Sequence, residues 1–128
     1  QKVAEFLEQQ DDVAWINYAG LPSNQYYELA QRQFDGGRTC GVVTFGIKGG
    51  RERAIKFMDS LKLTAIVTHV ADARTCVLHP ASHTHRQLSD EQLREAGVAP
   101  DLIRLSVGIE DVRDIVADIQ QALDAAIK

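Results

Sequence analysis

The chain has 128 residues, a formal net charge of −4 and a sequence pI near 5.5. Apolar residues make up 45% and charged residues 25%, which is ordinary for one globular domain with a core. The acidic balance argues against a nucleic-acid surface, because phosphate binding needs clustered Lys and Arg. No apolar run approaches the roughly 20 residues that span a bilayer, so no membrane partner is predicted.

The two cysteines, Cys40 and Cys76, are far apart and form no Cys-x-x-Cys motif. This spacing favours neither a disulfide framework nor a zinc knuckle. We therefore predict a reducing, cytoplasmic location, with both thiols packed as small apolar groups.

Periodic segments between Gly, Pro and Asp predict helices and strands in the first half of the chain. Ser23 is expected to cap a helix that runs to about Phe34 and buries a stripe formed by Tyr26, Leu29, Ala30 and Phe34. The opening segment KVAEFLE has helical spacing but no capping residue before it, which suggests a piece of a longer protein or a processed terminus. The predicted elements are a helix over 2–8, a strand from 13, the helix from 23, a strand over 41–48 and a helix over 51–62.

The second half begins with two β-branched segments, TAIVTHV and TCVLH, which predict strands joined by a tight connection over 71–74. Ser89 and Gln92 form a capping-box pattern for a short helix that ends at Gly97. A strand over 102–108 and a long amphipathic helix from about 110 follow. Because several connections are too short for parallel crossovers, we predict one α+β domain with a mainly antiparallel sheet and helices packed on one face.

The segment LIRLSVG places an arginine in the middle of a predicted strand. A period of two puts Ile103 and Leu105 on one face, and Arg104 and Ser106 on the other. Arg104 could then lie on an ordinary solvated face. It could also clamp a carboxylate or phosphate, since a guanidinium on a rigid strand offers two parallel hydrogen bonds. Periodicity does not decide between these two interpretations.

The segment HPASHTH contains three histidines, His79, His83 and His85, that could suggest a metal site. No Cys, Asp or Glu joins them at a zinc-like spacing, and Pro80 interrupts regular structure. An ordered loop with hydrogen-bonded histidines is the favoured interpretation, and no metal is predicted. The glycines near residue 46 also lack the order of a phosphate-binding loop, and no nucleophile is paired with a base.

Longer motifs resemble one known family. The segments NYAGLPSNQYYELA (17–30), VVTFGIKGGRERAIKFMDSLKL (42–63) and HPASHTHRQLSDEQLREAGVAPDLIRLSVGIED (79–111) look like the C-terminal domain of the Cys/Met-metabolism family of pyridoxal-phosphate enzymes. The resemblance covers nearly the whole chain. GLPSN, FGIKGG and APDLIRLSVGIED look most similar to the O-acetylhomoserine sulfhydrylase, or homocysteine synthase, branch.

The resemblance implies a small C-terminal substrate-binding domain, residues 1–128, of a fold-type I enzyme that lacks its cofactor-binding domain here. Arg104 matches the arginine that binds the substrate α-carboxylate, and Thr84 matches a threonine expected to steady that arginine. His69 falls near the cofactor and substrate, where relatives carry Ser or Asn within S-L-G-D or N-V-G-D. Here the sequence is HVAD (69–72), which departs from that pattern. No catalytic residue is expected within these 128 residues.

For the full-length enzyme, the resemblance implies a homotetramer with pyridoxal phosphate that catalyses γ-replacement, in which sulfide or a thiol takes the place of the acetate of O-acetylhomoserine. The 128 residues alone are expected to be inactive and to bind no cofactor, because the lysine that holds the cofactor belongs to the other domain. Cystathionine γ-synthase, γ-lyase and methionine γ-lyase are alternatives within the family. A non-catalytic binding or oligomerisation module is the alternative from another class.

Overall fold

The computed structural model describes all residues from 1 to 128 as five α-helices around a five-stranded sheet. The helices are α1 (Lys2–Glu8), α2 (Tyr27–Gln33), α3 (Gly50–Ser60), α4 (Asp90–Glu95) and α5 (Val112–Ile127). The strands are β1 (Val13–Asn17), β2 (Val42–Ile47), β3 (Ala65–Ile66), β4 (Cys76–Leu78) and β5 (Leu102–Ser106). One short 3-10 turn covers Asp35–Gly37, between α2 and β2.

The sheet has the order β1-β2-β5-β4-β3, so β5 lies at its centre. Three of the four strand pairs are antiparallel, which confirms the predicted α+β class and mainly antiparallel sheet. The pairing of β3 with β4 is parallel, and the tight connection predicted over 71–74 is wrong. Strand β3 ends at Ile66, and an irregular segment over 67–75 returns the chain to the start of β4.

The hydrophobic core lies on one face of the sheet, beneath α1, α3 and α5. Alternate residues of β2 and β5 point into it, and Phe45 meets Phe57 of α3 edge to face at 5.9 Å between ring centroids. Ile103 and Leu105 of β5 are fully buried in the same core. Helices on one face were predicted from the sequence, and this arrangement confirms them.

Helix α2 differs from its prediction in both its start and its buried face. It begins at Tyr27, and Ser23 does not cap it but donates to Glu8. Ala30 is buried, whereas Tyr26, Leu29 and Phe34 are exposed, because no other element of the chain packs against that side of α2. The predicted stripe is therefore present as an apolar surface rather than as core.

Local signals elsewhere are matched more closely. The capping box of α4 is present in full. The Ser89 hydroxyl accepts from the Gln92 backbone N–H, and the Gln92 side-chain oxygen accepts from the Ser89 backbone N–H. Cys76 is buried as predicted, but Cys40 is exposed, so the prediction of two packed thiols is half wrong. None of the helices is both long and apolar enough to cross a membrane.

A buried carboxylate on α5 fixes the end of α3 and the approach to β3. Asp118 is 6% exposed and accepts from the backbone N–H groups of Lys62, Leu63 and Thr64 at 2.8 to 3.0 Å. Burial alone would raise the pKa of Asp118, but these backbone donors outweigh it and hold the pKa below its usual value. The charged form of Asp118 is thus the form that stabilises the fold.

We predict that Asp118→Asn lowers the free energy of unfolding by about 1–3 kcal/mol at pH 7, because an amide NH₂ would face buried N–H donors. A depressed folded pKa gives stability that is complete above the unfolded value of about 3.9 and lost as pH falls through the folded value. In urea unfolding measured from pH 7 to pH 2, the free energy of unfolding should therefore fall less in the Asp118→Asn variant than in the unsubstituted chain. Exposed Asp124 on the same helix provides the control, and Asp124→Asn should change stability by less than about 0.5 kcal/mol. Equal losses in both variants would contradict the assigned role of Asp118.

Candidate functional site

Arg104 lies on the central strand, on the face opposite the core. Its backbone pairs with Thr44 on β2 and with Leu78 on β4, so the Cα position is fixed from both sides. Ile103 and Leu105 beside it are fully buried, while Arg104 is half-buried. The alternation predicted for LIRLSVG is confirmed.

The guanidinium of Arg104 makes one hydrogen bond, from Nη2 to the carbonyl oxygen of Thr68 at 2.8 Å. It takes part in none of the ion pairs of the chain, which involve other cations. A guanidinium carries five N–H donors, so most of its fork remains available. A partly oriented fork on a rigid strand is suited to a planar anion such as a carboxylate.

The segment 67–75 is held against β5 and the turn that follows it. Successive contacts join Arg104 to Thr68 O, Ser106 Oγ to Ala71 N at 3.0 Å, and the Ile109 N–H to Ala73 O at 2.9 Å. These contacts follow the alternation of RLSVGIE, since positions 104 and 106 share one face of the strand. The sequence indicated the face of Ser106 but gave no sign of its partner.

Glu110 closes this set of contacts at the end of the segment. Its two carboxylate oxygens accept from the backbone N–H and the hydroxyl of Thr75 at 2.7 and 2.8 Å. The same hydroxyl oxygen accepts from the Gly108 N–H at 2.9 Å. Burial works to raise the pKa of Glu110, but the hydrogen bonds from Thr75 prevail and lower it. Glu110 thus holds the segment as a carboxylate.

Ala71 adopts an unusual backbone conformation within this segment. It is the one residue other than glycine with a positive φ, at 58°. Left-handed geometry costs an ordinary L-residue about 1–2 kcal/mol. Ala71 is the third residue of HVAD, at the place of Gly in the S-L-G-D pattern, so this departure from the family pattern introduces local strain.

His69 lies one residue after Thr68, so the segment brings it close to the Arg104 contact along the chain. Its ring is exposed, and Nδ1 is 3.6 Å from Asp72 Oδ2. It lines a shallow cavity of about 240 Å³ together with Val67, Asp72 and Cys76. Two of the predicted site residues, Arg104 and His69, are thus connected through segment 67–75, because Arg104 donates to Thr68 and His69 follows Thr68.

Thr84 lies apart from the Arg104 contact in its hydrogen bonding. Its hydroxyl pairs with His85 Nδ1 at 2.8 Å, and it is exposed. The chain forms no hydrogen bond between Thr84 and Arg104, whose partner is the carbonyl of Thr68. A supporting role for Thr84 stays a prediction from the resemblance.

The histidines of HPASHTH order their own loop. His79 is buried, with Nε2 2.7 Å from the Pro100 carbonyl and Nδ1 2.7 Å from the Ser82 hydroxyl. A carbonyl only accepts, so Nε2 carries the proton and Nδ1 accepts from Ser82. Burial lowers the pKa of His79, which keeps the ring neutral. The backbone N–H of His79 donates to His83 Nδ1. No three His, Cys, Asp or Glu side chains converge as metal ligands.

A larger cavity, of about 580 Å³, lies beside α2 and the approach to β2. Tyr18, Tyr27 and Gln31 line it, together with the exposed side chain of Arg38. The sequence gave no signal for this cavity, because its walls combine one side of α2 with residues from separate turns. The residues that hold segment 67–75 do not line it.

The family model for Cys/Met metabolism PLP-dependent enzymes matches residues 1–124. The chain belongs to this family. The resemblance seen in HPASHTH and RLSVGIED is thereby confirmed at the level of the family.

Individual relatives include both sulfhydrylases and lyases. O-acetyl-L-homoserine sulfhydrylase 1 of Thermus thermophilus is 47% identical over 94% of the chain, which spans 28% of that protein. L-methionine gamma-lyase of Treponema denticola is 43% identical over 100% of the chain and 31% of its own length. The chain therefore spans less than a third of these relatives.

Solved structures agree on the fold. Yeast cystathionine gamma-lyase superposes with a TM-score of 0.92 at 37% identity, over 99% of the chain and 33% of the yeast chain. A Campylobacter jejuni chain assigned as O-acetylhomoserine (thiol)-lyase, which carries a pyridoxyl-lysine monophosphate, gives 0.87 at 38% identity over 96% of the chain and 29% of its own length. The predicted fold-type I assignment is confirmed by these neighbours.

The residues of the chain fit the substrate side of a pyridoxal-phosphate site better than the cofactor side. Every lysine is exposed, and none is held in a cavity where it could retain an aldehyde cofactor. Arg104 offers an open fork for an amino-acid carboxylate. Arg104 is therefore an accessible donor for a planar anion, and the lysines of the chain do not line either of its two cavities.

We predict that Gly108→Ala displaces segment 73–75 and lowers the free energy of unfolding by about 1–3 kcal/mol. A Cβ at Gly108 would lie 2.4 Å from the backbone oxygen of Ala73 and 2.5 Å from the nitrogen of Thr75. Gly41→Ala is a matched control, because its Cβ would meet its nearest atom, Val107 O, at 3.5 Å. Urea unfolding and amide hydrogen exchange of 73–75 check the result, and equal behaviour of the two variants would contradict it.

Proposed function

We propose that the chain is the C-terminal substrate-binding domain of a longer pyridoxal-phosphate-dependent O-acetylhomoserine sulfhydrylase. The observation that carries this proposal is Arg104, whose fork is oriented by Thr68 and unpaired with any carboxylate of the chain. Relatives named O-acetylhomoserine sulfhydrylase or homocysteine synthase, from Thermus thermophilus, Leptospira meyeri and Schizosaccharomyces pombe, support the choice of reaction. With sulfide as the donor, this γ-replacement releases acetate and gives homocysteine.

Arg104 binds the α-carboxylate of the substrate in this proposal. Two parallel N–H···O bonds fix the plane and direction of the carboxylate, which sets where the amino group and the side chain of the substrate point. A strand anchored on both sides keeps that direction constant. Pyridoxal phosphate supplies the electron sink of the reaction when it is bound to the rest of the enzyme.

The remainder of the reaction belongs to parts of the enzyme outside these 128 residues in the same proposal. O-acetylhomoserine and sulfide or a thiol are the substrates, and a cytoplasmic homotetramer is the assembly. His69 lies near cofactor and substrate, where its exposed imidazole replaces the Ser or Asn of the family pattern. Residues 1–128 act as one domain that orients the substrate.

A lyase reaction is the second candidate. The methionine gamma-lyase of Treponema denticola matches the entire chain, and the yeast cystathionine gamma-lyase has a TM-score of 0.92. Carboxylate binding by Arg104 serves either reaction equally, because the α-carboxylate is common to all these amino acids. Activity of the full-length enzyme with O-acetylhomoserine and sulfide, compared with methionine or cystathionine alone, distinguishes the two reactions.

We predict that Arg104→Lys in the full-length enzyme lowers kcat/KM for O-acetyl-L-homoserine by about 10- to 100-fold. Lysine keeps the charge but loses the planar fork, and a charge-assisted hydrogen bond is worth about 1.5–3 kcal/mol. Arg113→Lys is the control, since Arg113 is exposed and pairs with Asp111 at the surface. Unchanged kinetics in Arg104→Lys would return Arg104 to the role of a solvated strand residue.

We also predict that the 128-residue chain alone retains no pyridoxal phosphate and has no transferase or lyase activity. An exposed lysine forms only a reversible adduct with the cofactor aldehyde, so visible absorbance should disappear on dialysis. The measurement is the absorption spectrum before and after dialysis, with the full-length enzyme as the positive control. Absorbance that persists, or turnover, would contradict the prediction.

A further inference from the structure

Residues 68–72 have little to hold them except two side chains of β5. All five are exposed, so side-chain packing contributes little to their position. The contacts that join them to the rest of the chain by hydrogen bonds are Arg104 to Thr68 O and Ala71 N to Ser106 Oγ. Their other side-chain contacts, such as His69 with Asp72, stay local. The geometry of the segment therefore depends on very few polar bonds.

Ser106 is placed to stabilise the least favourable point of the segment. It is 2% exposed and belongs to a strand paired on both sides, so its hydroxyl is fixed in space. The N–H that it accepts belongs to Ala71, whose φ of 58° is unfavourable for alanine. Without this bond, Ala71 would be free to return to a negative φ and to rotate the preceding peptides.

Such a rotation of the peptides before Ala71 would move the carbonyl group that orients Arg104, the proposed substrate-binding residue. Thr68 is three residues before Ala71, and its carbonyl is the one group that orients the Arg104 fork. The N–H of Val67, bonded to Val77 O, is the next fixed point toward β3. Thr68 therefore lies between a fixed point at Val67 and a fixed point at Ala71, and the second of these depends on Ser106.

We propose that Ser106 is a positioning residue for the substrate carboxylate, acting through the left-handed backbone of Ala71 on the Thr68 carbonyl and thereby on Arg104. The proposal rests on the proposed function of Arg104 and extends it to a buried residue that touches neither substrate nor cofactor. Ser106 and Arg104 are two residues apart on one face of β5, so one strand supplies both the fork and the support of its orienting segment.

The first test is Ser106→Ala in the full-length enzyme. We expect the KM for O-acetyl-L-homoserine to rise about five- to tenfold, while kcat changes by less than about twofold, because binding of the carboxylate is disturbed and the chemistry is not. Amide hydrogen exchange across 68–72 should become faster at the same time. Ser60→Ala is the control, since the Ser60 hydroxyl donates only to Lys56 O within its own helix, and neither measurement should change.

The second test repeats Ser106→Ala in an Ala71→Gly background. Glycine adopts a positive φ without strain, so the segment needs the Ser106 bond less, and the rise in KM should shrink to less than about twofold. If Ser106 merely filled space in the strand, its loss would have the same effect in both backgrounds. An undiminished rise in KM would therefore overturn the proposal.

The same assays separate this inference from the proposed function. If Arg104→Lys weakens substrate binding but Ser106→Ala leaves KM unchanged, the positioning role is wrong and the role of Arg104 stands. If Arg104→Lys changes nothing, the proposed carboxylate site is wrong, and the positioning role falls with it. Unchanged hydrogen exchange across 68–72 in Ser106→Ala would overturn the inference independently of any substrate.

Discussion

The arrangement of the candidate site depends on the hydrogen bonds between β5 with its following turn and the irregular segment 67–75. That segment forms little regular structure, and most of its side chains are exposed, so burial of apolar surface cannot fix it. Polar groups at 104, 106, 109 and 110 each contact a different residue of the segment. Gly108 allows the close approach, because a side chain there would meet the segment backbone. The backbone position of segment 67–75 is therefore set by β5 and the turn that follows it.

The stability of the core and the geometry of the site come from the same strand. Ile103 and Leu105 are buried under the helices, while Arg104 and Ser106 hold the segment on the other face. The approach to β3 is fixed separately, by Asp118 of α5. Its carboxylate caps three consecutive N–H groups just before the parallel pairing of β3 with β4 begins. The backbone just before β3 is thus fixed by Asp118 of α5, and segment 67–75 after β3 is held by hydrogen bonds to β5 and the turn that follows it.

Local sequence patterns predicted the structural features that depend on residues close together in the chain. The capping box at Ser89, the alternation around Arg104 and the one-sided sheet all follow from short-range periodicity and are present. Contacts between residues 35 positions apart, such as Glu110 with Thr75 and Ser106 with Ala71, leave no periodic signal, and the sequence alone did not indicate them. A strand was predicted at β3, but its parallel pairing with β4 and its length of only two residues were missed, because both are set by the partner strand rather than by the local pattern.

The position of Arg104 also has an energetic explanation. A guanidinium on the inner face of β5 would be desolvated among Ile103 and Leu105, which is costly for an unpaired charge. On the other face it is half-buried, so solvent reaches the donors that Thr68 leaves unused. One protein hydrogen bond then restricts the direction of the fork without satisfying it. A carboxylate that meets such a fork loses less orientational freedom than one that meets a flexible surface lysine. The central strand, rather than the loop, is therefore the element that can combine a fixed direction with an accessible charge.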